Sequence, residues 1–506
     1  MTTRRRRWDV LLSAALFLLL ALLFVPECDD CYFIYWDFAS WKDFLLVRPI
    51  PQEGVVLGVP SNGRYLGNLL GLILGKLAFS PLWPLRVLIL GGGMLGLTLL
   101  LSRFFQGGPA GGRESFALAL FLVVWAPWGI WQQVYSWSAA WANYLAPTLL
   151  LLPLLLLLRQ GRPDRWPLVL LLSLSIGLFT EHNTVYLVLL SSAMALAGLV
   201  PALRGLLPAP SLRAALLAGS WAGLALSMTN SVFAQVDSGL RGVGLDLARD
   251  NLPVIFTEVL LRPIPLCLTI SLLLLWLVRR QGCPRWRLWA CLLLPLHLYI
   301  GYDRLLVVLK RRDLYREECL WLGLALALLW LILAVEWRGG ADRRELWFWV
   351  ASLLVVTGPM LVVSPVNARM FFSSYLFLCL AASVLFRRAR AEGLRPLTRL
   401  NRAAAAAGVL LVAVYACNAA VWVHRLDTAR AQADGGASQI TLPLVPFPQF
   451  TANEMAGKGD IVYLAIWSTT SSLGTSHLPL CPMRTGRRGE LFSPICIFST
   501  CHNRKD

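Results

Sequence analysis

Charge is scarce in this chain. Only 15% of its 506 residues are Asp, Glu, Lys or Arg and five are histidines, whereas 57% are hydrophobic. A soluble protein of this length has no interior large enough to hide so much apolar surface. A soluble globular fold is therefore excluded and a polytopic membrane protein implied, in keeping with a mean hydropathy of +0.63. Acids are the scarcer sign, 28 against 46 basic residues, for a net charge of +18. The arginines do not gather on one soluble segment but fall between apolar runs, where they act as topology signals. No nucleic-acid partner is expected.

Other absences narrow the reading. There is no Gly-rich phosphate loop of the P-loop kind and no internal repeat. No small-residue cleavage site follows the first apolar run; Pro26-Glu27-Cys28-Asp29-Asp30 does, so that run is expected to stay as the first helix. The eleven cysteines are thinly spread. Six (Cys267, Cys283, Cys291, Cys319, Cys379, Cys417) lie in or beside apolar runs as small fillers. Cys28 and Cys31 flank the acidic pair, either as a disulfide or as two incidental cysteines. Cys481, Cys496 and Cys501 lie in the tail.

What the chain does have is apolar runs bounded by charge, Pro or Gly. They predict an all-α polytopic protein of about thirteen spans, near 9–25, 81–102, 115–131, 142–158, 166–180, 184–201, 213–230, 258–278, 287–301, 319–335, 345–363, 371–386 and 403–423. Arg4–Arg7 before the first span put the N-terminus in the cytoplasm and Asp29-Asp30 outside. Residues 31–80 then form a long outer loop, with Tyr65–Leu77 and the Trp-rich stretch before it as helices lying in the interface. Were Tyr65–Phe79 to cross instead, everything downstream would invert. The arginine pattern opposes that: the inner connections 103–113, 159–165, 204–213, 279–287, 338–344 and 387–402 each carry at least two arginines. One outer connection breaks the pattern, Asp303–Glu318, with Arg304, Lys310, Arg311, Arg312 and Arg316 among its acids. Residues 1–425 are read as the membrane domain. Residues 426–506 are read as a small, irregular α/β or β-rich outer appendage.

The polar residues left over gather at the outer ends of these spans, where an ionisable group is expensive and function is the default reading. Asp29 and Asp30 are the candidate catalytic pair, as general base toward an acceptor hydroxyl or as ligands of a divalent cation, the only cofactor contemplated. Arg64, behind the turn signal Asn62-Gly63, has the planar fork that holds a phosphate; Arg241, Arg304 and Arg369 are read the same way. Glu181-His182-Asn183 interrupts two apolar runs and offers an acid, an imidazole and an amide to sugar hydroxyls or pyrophosphate oxygens. Trp137, Trp141 and Tyr144 stand either in an aromatic belt or against a sugar ring, and Asn143 beside them and Asn230 complete the set.

This succession resembles the GT-C superfamily of membrane glycosyltransferases: a first helix, an acidic pair opening an outer loop, interfacial helices, many spans and an outer C-terminal appendage. More narrowly, Asp29-Asp30, Asn62-Gly63-Arg64, the Trp141-to-Tyr144 segment and Glu181-His182-Asn183 are similar to a bacterial family of GT-C-like polytopic proteins. The resemblance covers about residues 1–425. It implies a plasma (inner) membrane enzyme taking a sugar from a polyprenyl-phosphate or polyprenyl-diphosphate donor to an extracytoplasmic glycan or lipid acceptor. An acid of the first outer loop, Asp29 or Asp30 here, would be the base or metal ligand. The tail lacks a WWDYG-like motif, which disfavours transfer to asparagine. A transporter or flippase of lipid-linked glycans is the alternative, and a non-catalytic assembly factor a third.

Overall fold

The computed structural model describes residues 2–26, 30, 64–78, 80–106, 112–229, 242–308, 315–394, 400–435, 443, 445–451, 477–478 and 481–482. Asp29, Asn62, Asn230 and Arg241 lie outside the described residues, as do 31–63, Lys310–Arg312 and most of the tail.

The fold is all-α. Its main helices are α1 Thr2–Leu23, α2 Tyr65–Ala78, α3 Trp83–Phe105, α4 Gly112–Val124, α5 Trp128–Tyr135, α6 Ser138–Gln160, α7 Trp166–Gly177, α8 Glu181–Ala197 and α9 Pro210–Met228. They continue as α10 Leu245–Leu261, α11 Ile264–Arg280, α12 Trp286–Val308, α13 Arg316–Glu336, α14 Ala341–Thr357, α15 Phe372–Ala391 and α16 Leu400–Asp434. Strand structure among the described residues is confined to two antiparallel pairs, Gly242–Val243 with Val363–Ser364 and His477–Leu478 with Cys481–Pro482. Local chemistry explains the boundaries. Proline stands in the first turn of α3 and α9, where its missing N–H costs nothing, and Gly161 at φ 66° closes α6.

Eleven of the thirteen expected spans fall on one helix each, whereas 115–131 and 258–278 each run across a bend between two helices. Among the described residues, six helices are long and apolar enough to cross a membrane, or eight if two bent pairs each count as one span: α4 with α5 (78°) and α10 with α11 (68°). A belt of exposed apolar side chains, among them Leu88, Leu171, Leu298, Trp321, Leu328 and Val409, would be untenable in water and is at ease in lipid. This is a membrane protein. At 14 residues α2 is about 21 Å long, short of the ~30 Å hydrocarbon core.

In lipid, apolar contact alone gives helices no reason to associate, so close approach and polar contacts hold them. Gly219 and Gly223 of α9 face Ser173 and Gly177 of α7. A Cβ on Gly219 would stand 2.1 Å from Ser173 Oγ, and one on Gly223 3.0 Å from Gly177 Cα.

The bundle has two chemically different ends. One collects the arginine-rich connections and matches them to acids: Asp9 with Arg113 (2.8 Å), Glu114 with Arg390 (2.8 Å), and Glu345 with both Arg387 (2.6 Å) and Arg159 (3.5 Å). The other collects the starts of α2, α6, α8, α11 and α15, and there the candidate residues lie.

At the C-terminus, α16 runs nine residues past the expected domain boundary at 425. The described stretch behind it folds back onto the bundle. Asn418 bonds both backbone groups of Phe447 (3.0 Å each), and Gln132 of α5 donates to the Thr451 carbonyl.

Candidate functional site

Three stretches at this end adopt a wider, π-type winding: Trp131–Tyr135, Trp141–Leu145 and Thr257–Leu261. Such bulges rotate side chains out of the ordinary helical register and recur at functional sites. They carry Gln132 and Gln133, Asn143 and Tyr144, and Glu258.

Asp30 is fully buried at the start of α6. Its carboxylate accepts the backbone N–H groups of Ala139 (2.7 Å) and Ser138 (3.1 Å), capping that helix from outside its own segment. Arg86 of α3, also buried, lies 3.9 Å from Asp30 Oδ2 and donates to Ser138 Oγ (2.8 and 3.0 Å) and to the Phe24 carbonyl (3.1 Å). Burial raises the Asp30 carboxyl above the usual aspartate range, against the opposing pull of Arg86 and of the Ala139 and Ser138 groups. Asp30 is thus committed to protein donors. Among the described residues no three His, Cys, Asp or Glu side chains converge as a metal-holding group.

The residue before Ser138 faces a different partner. Arg369, in the turn Ala368–Phe371 that leads into α15, lays its guanidinium 4.8 Å from the centre of the Trp137 ring. Its backbone N–H is held by Gln133 (3.3 Å), while the guanidinium has no carboxylate partner among the described residues. The Trp137 indole N–H is buried and likewise without a partner there.

A third group forms around α2 and α8. Arg64 binds Glu181 through Nη2 (2.7 Å) and Nε (3.0 and 3.1 Å), and reaches the Tyr144 hydroxyl at 3.4 Å. Tyr144 stacks on His182 with ring centres 6.0 Å apart and 17° between planes. Ser373 of α15 donates to Asn183 Oδ1 (2.8 Å) and lies 3.4 Å from His182 Nε2, while Asn183 Nδ2 donates to Thr180 Oγ1 (2.9 Å). Asn143 sits against Gly67 and gives its amide N–H to the Ala139 carbonyl (2.9 Å).

The structure therefore brings together Arg64, Asn143, Tyr144, Glu181, His182 and Asn183 in one group. It sets Asp30 and Arg369 on neighbouring residues of the α5–α6 junction. Trp141 is placed otherwise: it is buried against Gly93 of α3, as a wedge between helices. Arg304 is also buried, 3.6 Å from Asp303 and 3.3 Å from the Cys319 sulfur.

Sequence reading passed over Arg86, Glu258, Arg262 and Ser373. Arg86 did leave a signal, as a lone arginine inside the apolar run 81–102. Glu258 and Arg262 pair with each other at the α10–α11 bend, where Arg262 also lies 5.9 Å from the Trp128 ring. Ser373 left none, since serine is ordinary in such a helix. No family model, curated protein or solved structure matches this chain.

Proposed function

We propose that the chain is a GT-C-like membrane glycosyltransferase that moves a sugar from a polyprenyl-phosphate-type donor to a glycan or lipid acceptor on the extracytoplasmic face of the plasma (inner) membrane. The observation that carries the reading is the convergence at one end of the buried Asp30, an arginine with no carboxylate partner among the described residues, and a polar group from three helix starts. The acceptor hydroxyl loses its proton to an aspartate as its oxygen attacks the anomeric carbon. The bond to the donor phosphate breaks, and the charge growing on that phosphate is met by Arg369. With Asp30 holding the α6 start, the base is Asp29, and Asp30 positions it. Arg64 and Glu181, spent on each other, shape the wall of the site. No nucleotide site is needed, because the lipid brings the activated sugar.

Transfer from polyprenyl-phosphate-linked sugars by purified Asp29→Asn and Asp30→Asn tests this. Asp29→Asn abolishes turnover, and Asp30→Asn lowers it together with stability. Full activity in both overturns the assignment. Reporter fusions at Gly107 and Gly435 report inside and outside respectively; Gly107 outside overturns the orientation.

The two bent helix pairs favour a second reading, a transporter or flippase of lipid-linked glycans. Against it, α11 runs about 25 Å, and α4 about 20 Å, from their arginine-bearing ends before the bends. That depth is well past the middle of a ~30 Å core. Movement of lipid-linked glycan between leaflets without sugar transfer would decide for the transporter.

A further inference from the structure

We infer that the arginine-rich end of the bundle holds a binding site for one anionic phospholipid with a hydroxylated headgroup, in a cleft between α3 and α6. The site lies at the far ends of helices whose starts surround Asp30, and it does not depend on the glycosyltransferase reading. α3 and α6 run side by side in the same direction. A Cβ on Gly93 would run into the Trp141 ring, and one on Gly96 would stand 3.6 Å from Leu149 Cδ2. Pro153 follows inside α6 and has no N–H for the Leu149 carbonyl. Beyond it a cavity of about 580 Å³ separates the two helices. Its walls are Leu100, Arg103 and the cap residue Gln106 on α3, with Leu156 and Gln160 on α6.

Both helices present the same order along their axes. Leu100 precedes Arg103 by about 4.5 Å of helical rise and Leu156 precedes Gln160 by about 6 Å, so the apolar walls lie on the bilayer side and the polar groups at the boundary. A phospholipid has that order too, with acyl chains below and phosphate and head above. The Arg103 guanidinium matches the two free oxygens of a phosphodiester. The amides of Gln106 and Gln160 offer both donors and acceptors, which suits the hydroxyls of a glycerol head and gives nothing to a choline. Basic clefts between helices at this depth are where anionic lipid heads lodge. Residues 107–111, which follow Gln106, carry no charge of either sign, so the charge on the cleft's walls is that of Arg103. An arginine at a membrane boundary commonly does no more than snorkel its charge into water. The cavity and the two amides set Arg103 apart from Arg162, which is exposed and stands outside those walls.

The test titrates the purified full-length protein in detergent with phosphatidylglycerol and with phosphatidylcholine of the same acyl chains, and native mass spectrometry reads the first lipid bound. Phosphatidylglycerol is expected to bind about tenfold more tightly, since one guanidinium meets its uncompensated phosphate. Arg103→Gln is expected to remove most of that preference. Leu156→Trp fills the cleft while leaving the guanidinium, and is expected to weaken phosphatidylglycerol about tenfold. Arg162→Gln deletes the same charge outside the cleft and is expected to change binding by less than about twofold. Helical content by circular dichroism establishes that each variant is folded. Excess inorganic phosphate is expected to leave the lipid bound; displacement by it overturns the lipid and gives the site to a free anion. Equal binding of the two lipids, or equal losses in Arg103→Gln and Arg162→Gln, overturns the site and leaves the glycosyltransferase reading standing.

Discussion

Arg64 and Glu181 stand 117 residues apart in sequence and meet through three hydrogen bonds of 2.7 to 3.1 Å. By sequence both are candidate ligand-binding groups. Their meeting converts them into the tie between α2 and the α7–α8 turn, reinforced where the Leu66 N–H bonds the Leu178 carbonyl (3.0 Å). A bidentate guanidinium–carboxylate pair fixes orientation as well as distance.

The pair should therefore couple in a double-mutant cycle. Arg64→Ala, Glu181→Ala and the double variant, followed by thermal unfolding in detergent, are expected to give a coupling of about 1–2 kcal/mol. Arg64→Lys should behave more like Arg64→Ala than like wild type, since a lysine cannot make the fork. Strict additivity would show that the two side chains act independently.

Arg86 holds three things at once: Asp30, the Ser138 hydroxyl and the Phe24 carbonyl. Arg86→Met keeps most of the volume and strands all three. A cost of about 3–5 kcal/mol is expected, the usual penalty for removing one partner of a buried pair. Chemical unfolding of the purified variant measures it, and a loss below about 1 kcal/mol would contradict the assigned role.

Asp30 carries a pH dependence with a definite sign. Its carboxyl titrates above the ordinary value of 3.8 in the fold, so the folded chain holds that proton more tightly than the unfolded chain does. The resulting stabilisation is fully present below that ordinary value and is lost as pH rises through the folded value. Asp30→Asn cannot titrate and lacks this slope. Melting temperatures of the two proteins should differ with pH accordingly, wild type losing ground to the variant as pH rises above the ordinary value of 3.8. Parallel curves would refute it.

Gly67 is where α2 meets the π-wound start of α6. A Cβ there would lie 2.2 Å from Asn143 Oδ1 and 2.9 Å from its Cγ. Gly67→Ala must displace the helix or the amide, at a cost of about 1–3 kcal/mol. It should also lower transfer activity by shifting Tyr144 beside it. Gly92→Ala is the control for this, because nothing lies within 4 Å of a Cβ there. Equal melting temperatures for Gly67→Ala and Gly92→Ala would remove the close approach from the account.

Much of the architecture is legible in the sequence. The run 142–158 sits within α6, and 371–386 within α15, because span identity is set by twenty or so neighbouring side chains. The bends were less legible. The run 115–131 looks continuous in hydropathy, yet the chain turns by 78° between Val124 and Trp128, at Ala126-Pro127, where proline cannot continue the helix. Within the candidate site, Glu181-His182-Asn183 and Arg64 announced themselves by polarity. Nothing local announced that Asn183 would be consumed by Thr180 and Ser373, or that Trp141 would wedge against Gly93.

The sequence by itself determined that this is a helical membrane protein, and where its helices and surplus polar groups fall, because hydropathy and charge are properties of adjacent residues. Only the tertiary structure decided which polar groups are spent on one another. Asp30 went to a helix start 108 residues away, and Arg64 to an acid 117 away, while Arg369 was left with an aromatic face. Such pairings depend on how far apart in the chain two groups can lie and still meet in a low-dielectric interior, where an uncompensated charge is too costly to keep.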